Sequence, residues 1–231
     1  MEPISTRPGI SLRALAPNAV TAVALCTGLS GAWFALQGRW ENAVAAIVVA
    51  GVLDAMDGRI ARMLKGESRF GAELDSLSDV IAFGATPALI IYMWVMQDMP
   101  RFGWTISVFF VLCAALRLAR FNARIDTEDQ PHKSAGFNTG VPSPPGAGLA
   151  LLPMIIWFET GAEWVRDYRF IAPWLLIVAV LMISNVATYS WSSLKVRPSF
   201  RFMAIAAVGL FGATLVAAPG SHLLPQAWST R

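Results

Sequence analysis

Charge is what this sequence has least of. Asp, Glu, Lys and Arg make up 14% of its 231 residues, where a soluble domain carries about a quarter. The shortage argues against an ordinary water-solvated globule. Nucleic-acid binding has no footprint either, because a formal charge of +3 is spread over scattered Lys and Arg and forms no basic stripe. Cysteine is nearly absent. Cys26 and Cys113 each sit inside an apolar run, so they read as small buried hydrophobes rather than as a disulfide or a metal site. Histidine is as scarce: His132 falls in a charged loop and His222 in a polar tail, and neither is expected to be a catalyst. No cleavable signal peptide is expected, since Pro3, Pro8 and Gly9 break the start and no A-x-A-like site follows the first apolar run. Internal repeats and low-complexity tracts are also missing.

Hydrophobicity is abundant instead. Apolar residues reach 55%, with nine Trp and thirteen Phe, and the mean hydropathy is +0.54. That profile suits a chain with lipid-facing and interfacial aromatics. Crossing a bilayer core takes about 20 apolar residues. Such runs extend from Pro17 to Leu36, Asn42 to Met63, Leu74 to Met96, Gly103 to Phe121, Gly146 to Phe158, Phe170 to Trp191 and Phe200 to Ala218. Between the fourth and fifth lies a polar stretch, Asn122 to Thr139, followed by Pro142, Pro144 and Pro145. Gly84 and Pro87 predict a bend inside the third run. The expected fold is all-α, a polytopic membrane helix bundle of six to seven transmembrane helices. It forms one domain over residues 1–231, with a core of about 17–195 and an extra C-terminal helix at about 200–218. Gly209 and Gly212 in that last run leave an interfacial placement open for it.

Orientation follows from the bias of Lys and Arg. With a cytoplasmic N-terminus that side takes Arg7, Arg13, Arg59, Arg62, Lys65, Arg69, Arg117, Arg120, Arg124, Lys133, Lys195, Arg197 and Arg201, against Arg39, Arg101, Arg166, Arg169 and Arg231 opposite. Thirteen against five selects the cytoplasmic N-terminus and turns the polar stretches 54–79 and 122–139 toward the cytoplasm.

Four aspartates break the apolar pattern. A carboxylate in a membrane segment costs roughly 2.5–3.5 kcal/mol on insertion scales, so Asp54, Asp57, Asp75 and Asp79 within 26 residues need a reason. Asp54 and Asp57 are three apart, Asp75 and Asp79 four apart, and both spacings put a pair on one helix face. The turn between them, around Lys65, Gly66 and Ser68, makes the two helices antiparallel neighbours with their acids at one depth. Carboxylates so crowded repel strongly in a low dielectric, and one or two divalent cations remove the conflict. An oxygen-only donor set favours Mg²⁺, Mn²⁺ or Ca²⁺ over zinc. Small residues beside the acids, Gly58, Ala61 and Gly71, let a ligand approach the backbone, and Arg62 can hold a phosphate in bidentate fashion. Two blander readings compete. The acids could be helix-end charges neutralised by Arg59, Arg62 and Arg69, or they could serve an ion-coupled transporter. The first does not explain four acids in register, and transporter acids usually lie near the midplane on several helices.

The pattern Asp54-x2-Asp57-Gly58-x2-Ala61-Arg62-x8-Gly71-x3-Asp75-x3-Asp79 resembles the signature of the CDP-alcohol phosphatidyltransferases at every fixed position. The resemblance implies displacement of CMP from a CDP-linked lipid by an alcohol, with two divalent cations, Mg²⁺ or Mn²⁺. Carried over by position, Asp54, Asp57, Asp75 and Asp79 would ligate metal, and Asp79 would also act as general base. Asn18, Thr21, Gly58, Ala61, Arg62, Ser68 and Gly71 would contact the CDP-lipid. The stretches Leu77 to Ala88, Leu116 to Asn122 and Phe137-x2-Gly140-Val141-Pro142-x-Pro144 are similar to the phosphatidylserine synthase branch of that family. That similarity implies CDP-diacylglycerol and L-serine as substrates, with Arg117, Arg120 and Asn122 on the acceptor. Glycerol 3-phosphate, inositol phosphate and choline stay open as other acceptors. The family likeness also implies a homodimer, and the chain is expected in contact with membrane lipids in a bacterial inner (cell) membrane, with the active site facing the cytoplasm as the Lys and Arg bias indicates.

Overall fold

The computed structural model of the chain describes residues 12–64, 66, 68–125, 137–139, 141–184 and 187–189. They form helices α1 (Leu12–Leu36), α2 (Trp40–Leu64), α3 (Arg69–Asp79), α4 (Thr86–Trp94), α5 (Gly103–Ile125), α6 (Ser143–Thr160) and α7 (Tyr168–Ile183). A π-helical segment, Val80–Ala85, joins α3 to α4. Two three-residue strands, β1 (Phe137–Thr139) and β2 (Ala187–Tyr189), pair antiparallel with Asn138 opposite Thr188. The fold is thus helical as expected, with a small ladder that the sequence reading does not include.

Three helical stretches are long and apolar enough to cross a membrane: Leu15–Leu36, Arg69–Trp94 and Gly103–Ala123. Helix α2 is as long as α1, but Glu41, Asp54, Asp57, Arg59 and Arg62 lower its apolarity. The exterior is greasy. Trp104, Val108, Leu112 and Leu116 recur every four residues on the exposed face of α5, and Val23, Leu29, Trp33 and Leu36 are exposed on α1. An apolar stripe that faces outward fits lipid, not water, as the solvent. The interior is built from Phe83, Ile90, Ile91, Trp94, Phe110, Leu151, Met154, Ile171, Leu175 and Met182.

Helix α1 is the central strut. It packs along α2 and also touches α3, the π segment and α4, whereas the backbones of α2 and α3 meet only sparsely. Sequence reasoning makes α2 and α3 direct neighbours. The structure sets them apart across a gap, which is where their acids face one another. The close approach of α1 to the π segment depends on Gly28, where a Cβ would fall 2.6 Å from Ala82 Cβ and 3.1 Å from Ala82 Cα.

The predicted irregularity in the third span takes the form of the π segment. Pro87 has no N–H to give the carbonyl four residues back. The turn just before it is widened: the Thr86 N–H reaches the Ile81 carbonyl, and Thr86 Oγ1 donates to the same oxygen at 3.0 Å. In helix α6 a neighbouring helix replaces the donor that a proline lacks. Pro153 leaves the Leu149 carbonyl without its helical donor, and Trp174 Nε1 of α7 supplies one at 2.8 Å. Backbone groups buried away from water have to be paired in this way.

Several boundaries differ from the sequence reading, and two of them have a plain local cause. Helix α6 starts at Ser143 rather than Gly146, because Pro144 and Pro145 suit a first helical turn whose N–H groups are unpaired anyway. Helix α7 stops at Ile183, well before Trp191: Ser184 is extended, and its hydroxyl donates to the Leu181 carbonyl at 2.8 Å. The seventh apolar run, Phe200 to Ala218, lies outside the described residues, as do His132 and His222.

Substituting Gly28→Ala is expected to destabilise the bundle by about 1–3 kcal/mol through overpacking, read as a lower melting temperature in detergent. Gly148→Ala, where nothing stands within 4 Å of the added carbon, should leave the melting temperature unchanged.

Candidate active site

Helix α2 carries Asp54 and Asp57 on one face because they are three residues apart, and α3 presents Asp75 from across the gap. Each of the three offers a carboxylate oxygen, and these oxygens lie within 4.8 Å of one another. At that separation two bare charges cost about 3 kcal/mol even at an effective dielectric of 20. Asp79 stands one turn further along α3. Its side chain meets that of Asp54, and its Oδ1 is buried with no hydrogen-bond partner. Two carboxylates in such contact need a proton or a cation between them. The donor set is all oxygen, crowded, and includes an orphaned buried oxygen, which fits a hard divalent cation.

Hydroxyls and backbone fix the acids. Asp57 is 5% exposed, and its Oδ2 lies 2.6 Å from Thr21 Oγ1 of α1, which also sits 3.1 Å from the Pro17 carbonyl. The Thr21 proton is most stable on the charged oxygen, so α1 orients a carboxylate of α2. Asn122 Nδ2 of α5 donates to Ser76 Oγ at 2.9 Å, tying α5 to α3 between Asp75 and Asp79.

Beside the acids opens a cleft of about 260 Å³, lined by Pro17, Asn18, Thr21, Asp57, Gly58, Ala61, Gly66, Ser68, Gly71, Ala72 and Asp75. It is small-residue ground by construction. The Gly66 N–H reaches back to the Ala61 carbonyl at 3.0 Å and closes α2, as in a Schellman end. Ser68 caps α3, its Oγ accepting from the Gly71 N–H at 3.0 Å. A Cβ on Gly71 would lie 2.7 Å from Asn18 Oδ1, so any larger residue there would push Asn18 aside. Arg62 is exposed, with Nη1 3.8 Å from the place a Cβ on Gly58 would take.

The sequence-predicted residues therefore fall into two groups. Asn18, Thr21, Gly58, Ala61, Ser68 and Gly71 all line the cleft, and Arg62 does not line it but lies next to Gly58. Arg117, Arg120 and Asn122 lie on the α5 side. Arg117 is close enough to Asp79 for their charges to act on one another, and its Nη1 donates to Ser143 Oγ at 2.7 Å. Arg120 Nη2 donates to the Ser184 carbonyl at 3.3 Å. Sequence reasoning assigns no site role to Ser143, Ser76, Pro17 or Ala72, and reads Gly66 only as part of a turn. Ser143 occupies the unspecified position of the Val141-Pro142-x-Pro144 stretch, and only that neighbourhood could have flagged it.

A model of the CDP-alcohol phosphatidyltransferase family matches residues 14–186. The chain is also 35% identical over 213 residues, 92% of its length, to a Mycobacterium tuberculosis protein of which it covers 74%. A Helicobacter pylori protein is 34% identical over 181 residues, 78% of this chain and 74% of that one. In Methanocaldococcus jannaschii the identity is 32% over 145 residues, 63% of this chain and 62% of the relative. All three relatives are named CDP-diacylglycerol–serine O-phosphatidyltransferase. The chain belongs to the CDP-alcohol phosphatidyltransferase family, and it is a membrane-embedded transferase.

Replacing Thr21 by Val keeps the side-chain shape and removes the hydroxyl held on Asp57. Transferase activity is expected to fall about tenfold, the cost of one hydrogen bond to a charged group. The yield of folded protein in detergent should stay level.

Proposed function

We propose that this protein transfers the phosphatidyl group of CDP-diacylglycerol to the hydroxyl of L-serine, forming phosphatidylserine and CMP. The acceptor assignment rests on one observation: relatives matched over most of the chain are named for serine. The position of Arg117 beside Asp79 supports it, since serine brings a carboxylate that a guanidinium holds in a fork.

In this reading Asn18, Gly58, Ala61, Ser68 and Gly71 seat the CDP moiety, and Arg62 takes a phosphate oxygen. Asp54, Asp57, Asp75 and Asp79 would hold two divalent cations, Mg²⁺ or Mn²⁺, which supply charge neutralisation to the diphosphate and to departing CMP. Thr21 keeps Asp57 oriented. Asp79 accepts the proton of the serine hydroxyl. The serine oxygen then forms a bond to the phosphorus that carries diacylglycerol, and the bond from that phosphorus to the CMP oxygen breaks. CMP leaves with the electron pair. Arg117, Arg120 and Asn122 orient the acceptor.

The same reading treats residues 1–231 as one domain with six to seven spans, a core of about 17–195 and a further helix at about 200–218. It puts the protein in a bacterial inner membrane as a homodimer, with the cleft toward the cytoplasm. The excess of Lys and Arg on that side supports the orientation.

Purified protein supplied with CDP-diacylglycerol and Mg²⁺ or Mn²⁺ is expected to release CMP when L-serine is added. Chelation should abolish the release, and either ion should restore it. Release driven by glycerol 3-phosphate and not by serine would overturn the acceptor. Asp79→Asn is expected to lose at least about a hundredfold in rate, as for removal of a general base, while still inserting and folding. Full activity in that variant would remove Asp79 from the base role, and a failure to insert would make the acid cluster structural.

A further inference from the structure

Arg117 does not hang free beside Asp79. Its Nη1 ends on Ser143 Oγ at 2.7 Å, and Ser143 is wholly buried. The backbone that carries that hydroxyl is restricted. Pro142 precedes it, Pro144 and Pro145 follow, and proline restricts both its own φ and the residue before it. Ser143 is also the first residue of α6, and Pro144 and Pro145 have no N–H to offer there. The next amide, Gly146 N–H, is spent on the Pro142 carbonyl at 2.9 Å. A guanidinium pointed at the N-terminus of a helix meets the positive end of its dipole. The Ser143 oxygen that accepts from it and the nearby Asp79 carboxylate offset that repulsion. Arg117 Nε is buried and has no partner, so one donor of the fork is left for a ligand.

We infer that Ser143 is a positioning residue for the acceptor: it pins one arm of Arg117 so that the unpaired side of the guanidinium receives the acceptor's anionic group. The inference deepens the proposed function and rests on it. Ser143 touches neither reacting atom. It acts by presenting Arg117 in one rotamer, so that a bound carboxylate leaves the serine hydroxyl at the base.

The test is Ser143→Ala, which removes one oxygen and leaves the backbone and volume nearly unchanged. Steady-state CMP release is measured against L-serine and, separately, against CDP-diacylglycerol, together with the melting temperature in detergent. The KM for serine is expected to rise about tenfold, the cost of a lost hydrogen bond to a charged group. The KM for CDP-diacylglycerol and the melting temperature should hold. A serine KM equal to that of the parent overturns the inference. So does a joint loss, in which both KM values and the melting temperature worsen together, because that is the mark of a packing role. Failure of the acceptor assignment is read separately, in the parent protein. If the parent releases CMP with glycerol 3-phosphate instead of serine, the same comparison is made with that acceptor, whose phosphate would take the place of the carboxylate.

Discussion

Mutual repulsion among carboxylates at one end of a lipid-facing bundle governs much of the rest of the structure. Asp54, Asp57 and Asp75 bring oxygens within 4.8 Å, and Asp79 crowds Asp54. Close packing of α2 against α3 would bury that charge with no room for a counter-ion. The fold keeps those two backbones apart and fills the remaining contacts with α1. Helix α1 can do this because Gly28 lets it lie against Ala82, and because Thr21 supplies a hydroxyl to Asp57 where a bare apolar face would leave a carboxylate unpaired. The cleft is thus a consequence of the electrostatics: small residues stand where two acid-bearing helices could not close on each other.

Lipid as solvent adds a second constraint, since every buried backbone group has to be paired within the protein. The prolines in this chain show how the debt of a missing N–H is met locally. Near Pro153 a neighbouring helix lends the indole of Trp174. At the start of α6 the two consecutive prolines occupy positions where no donor is required. Each device needs a particular side chain at a particular offset, so the irregularities are as specified by sequence as the regular turns are.

Much of this was legible in the sequence and some was not, for physical reasons. The acid spacing of three and four residues follows helical periodicity, so the pairing of Asp54 with Asp57 and the approach of Asp75 could be read directly. The small residues around them were readable too, and six of those assigned to the nucleotide line one cleft. What periodicity cannot report is separation between helices. It brings the acids of α2 and α3 together, as they are, but does not report the spacing of the two backbones or the packing of α1 on both, which depends on a glycine that looks like any other in an apolar run. The strand pairing of Phe137–Thr139 with Ala187–Tyr189 joins segments far apart in sequence, each too short for an alternating pattern to register. Ser143 was hidden because a serine between prolines reads as a helix start, and its partner lies 26 residues upstream.

The two sides of the site meet at the π segment. A π-helical turn carries one residue more than an α-turn and often marks a functional position; here it begins immediately after Asp79. At its far end a Cβ on Gly84 would lie 3.1 Å from Ala114 Cβ, so the absence of a side chain at Gly84 sets how closely α5 can approach. Arg117 is three residues beyond Ala114 and shares its face. The same contact that seats α5 on the widened turn therefore delivers Arg117 toward Asp79, and Ser143 of α6 fixes where the guanidinium stops. In the proposed reading, nucleotide and acceptor are held by different helices, α1 to α3 on one side and α5 with α6 on the other. Base and guanidinium are brought together by backbone packing at a glycine, without an ion pair between loops. The joint is close, since one carbon added at Gly84 would press on Ala114, one turn of α5 from the guanidinium that in this reading orients the acceptor.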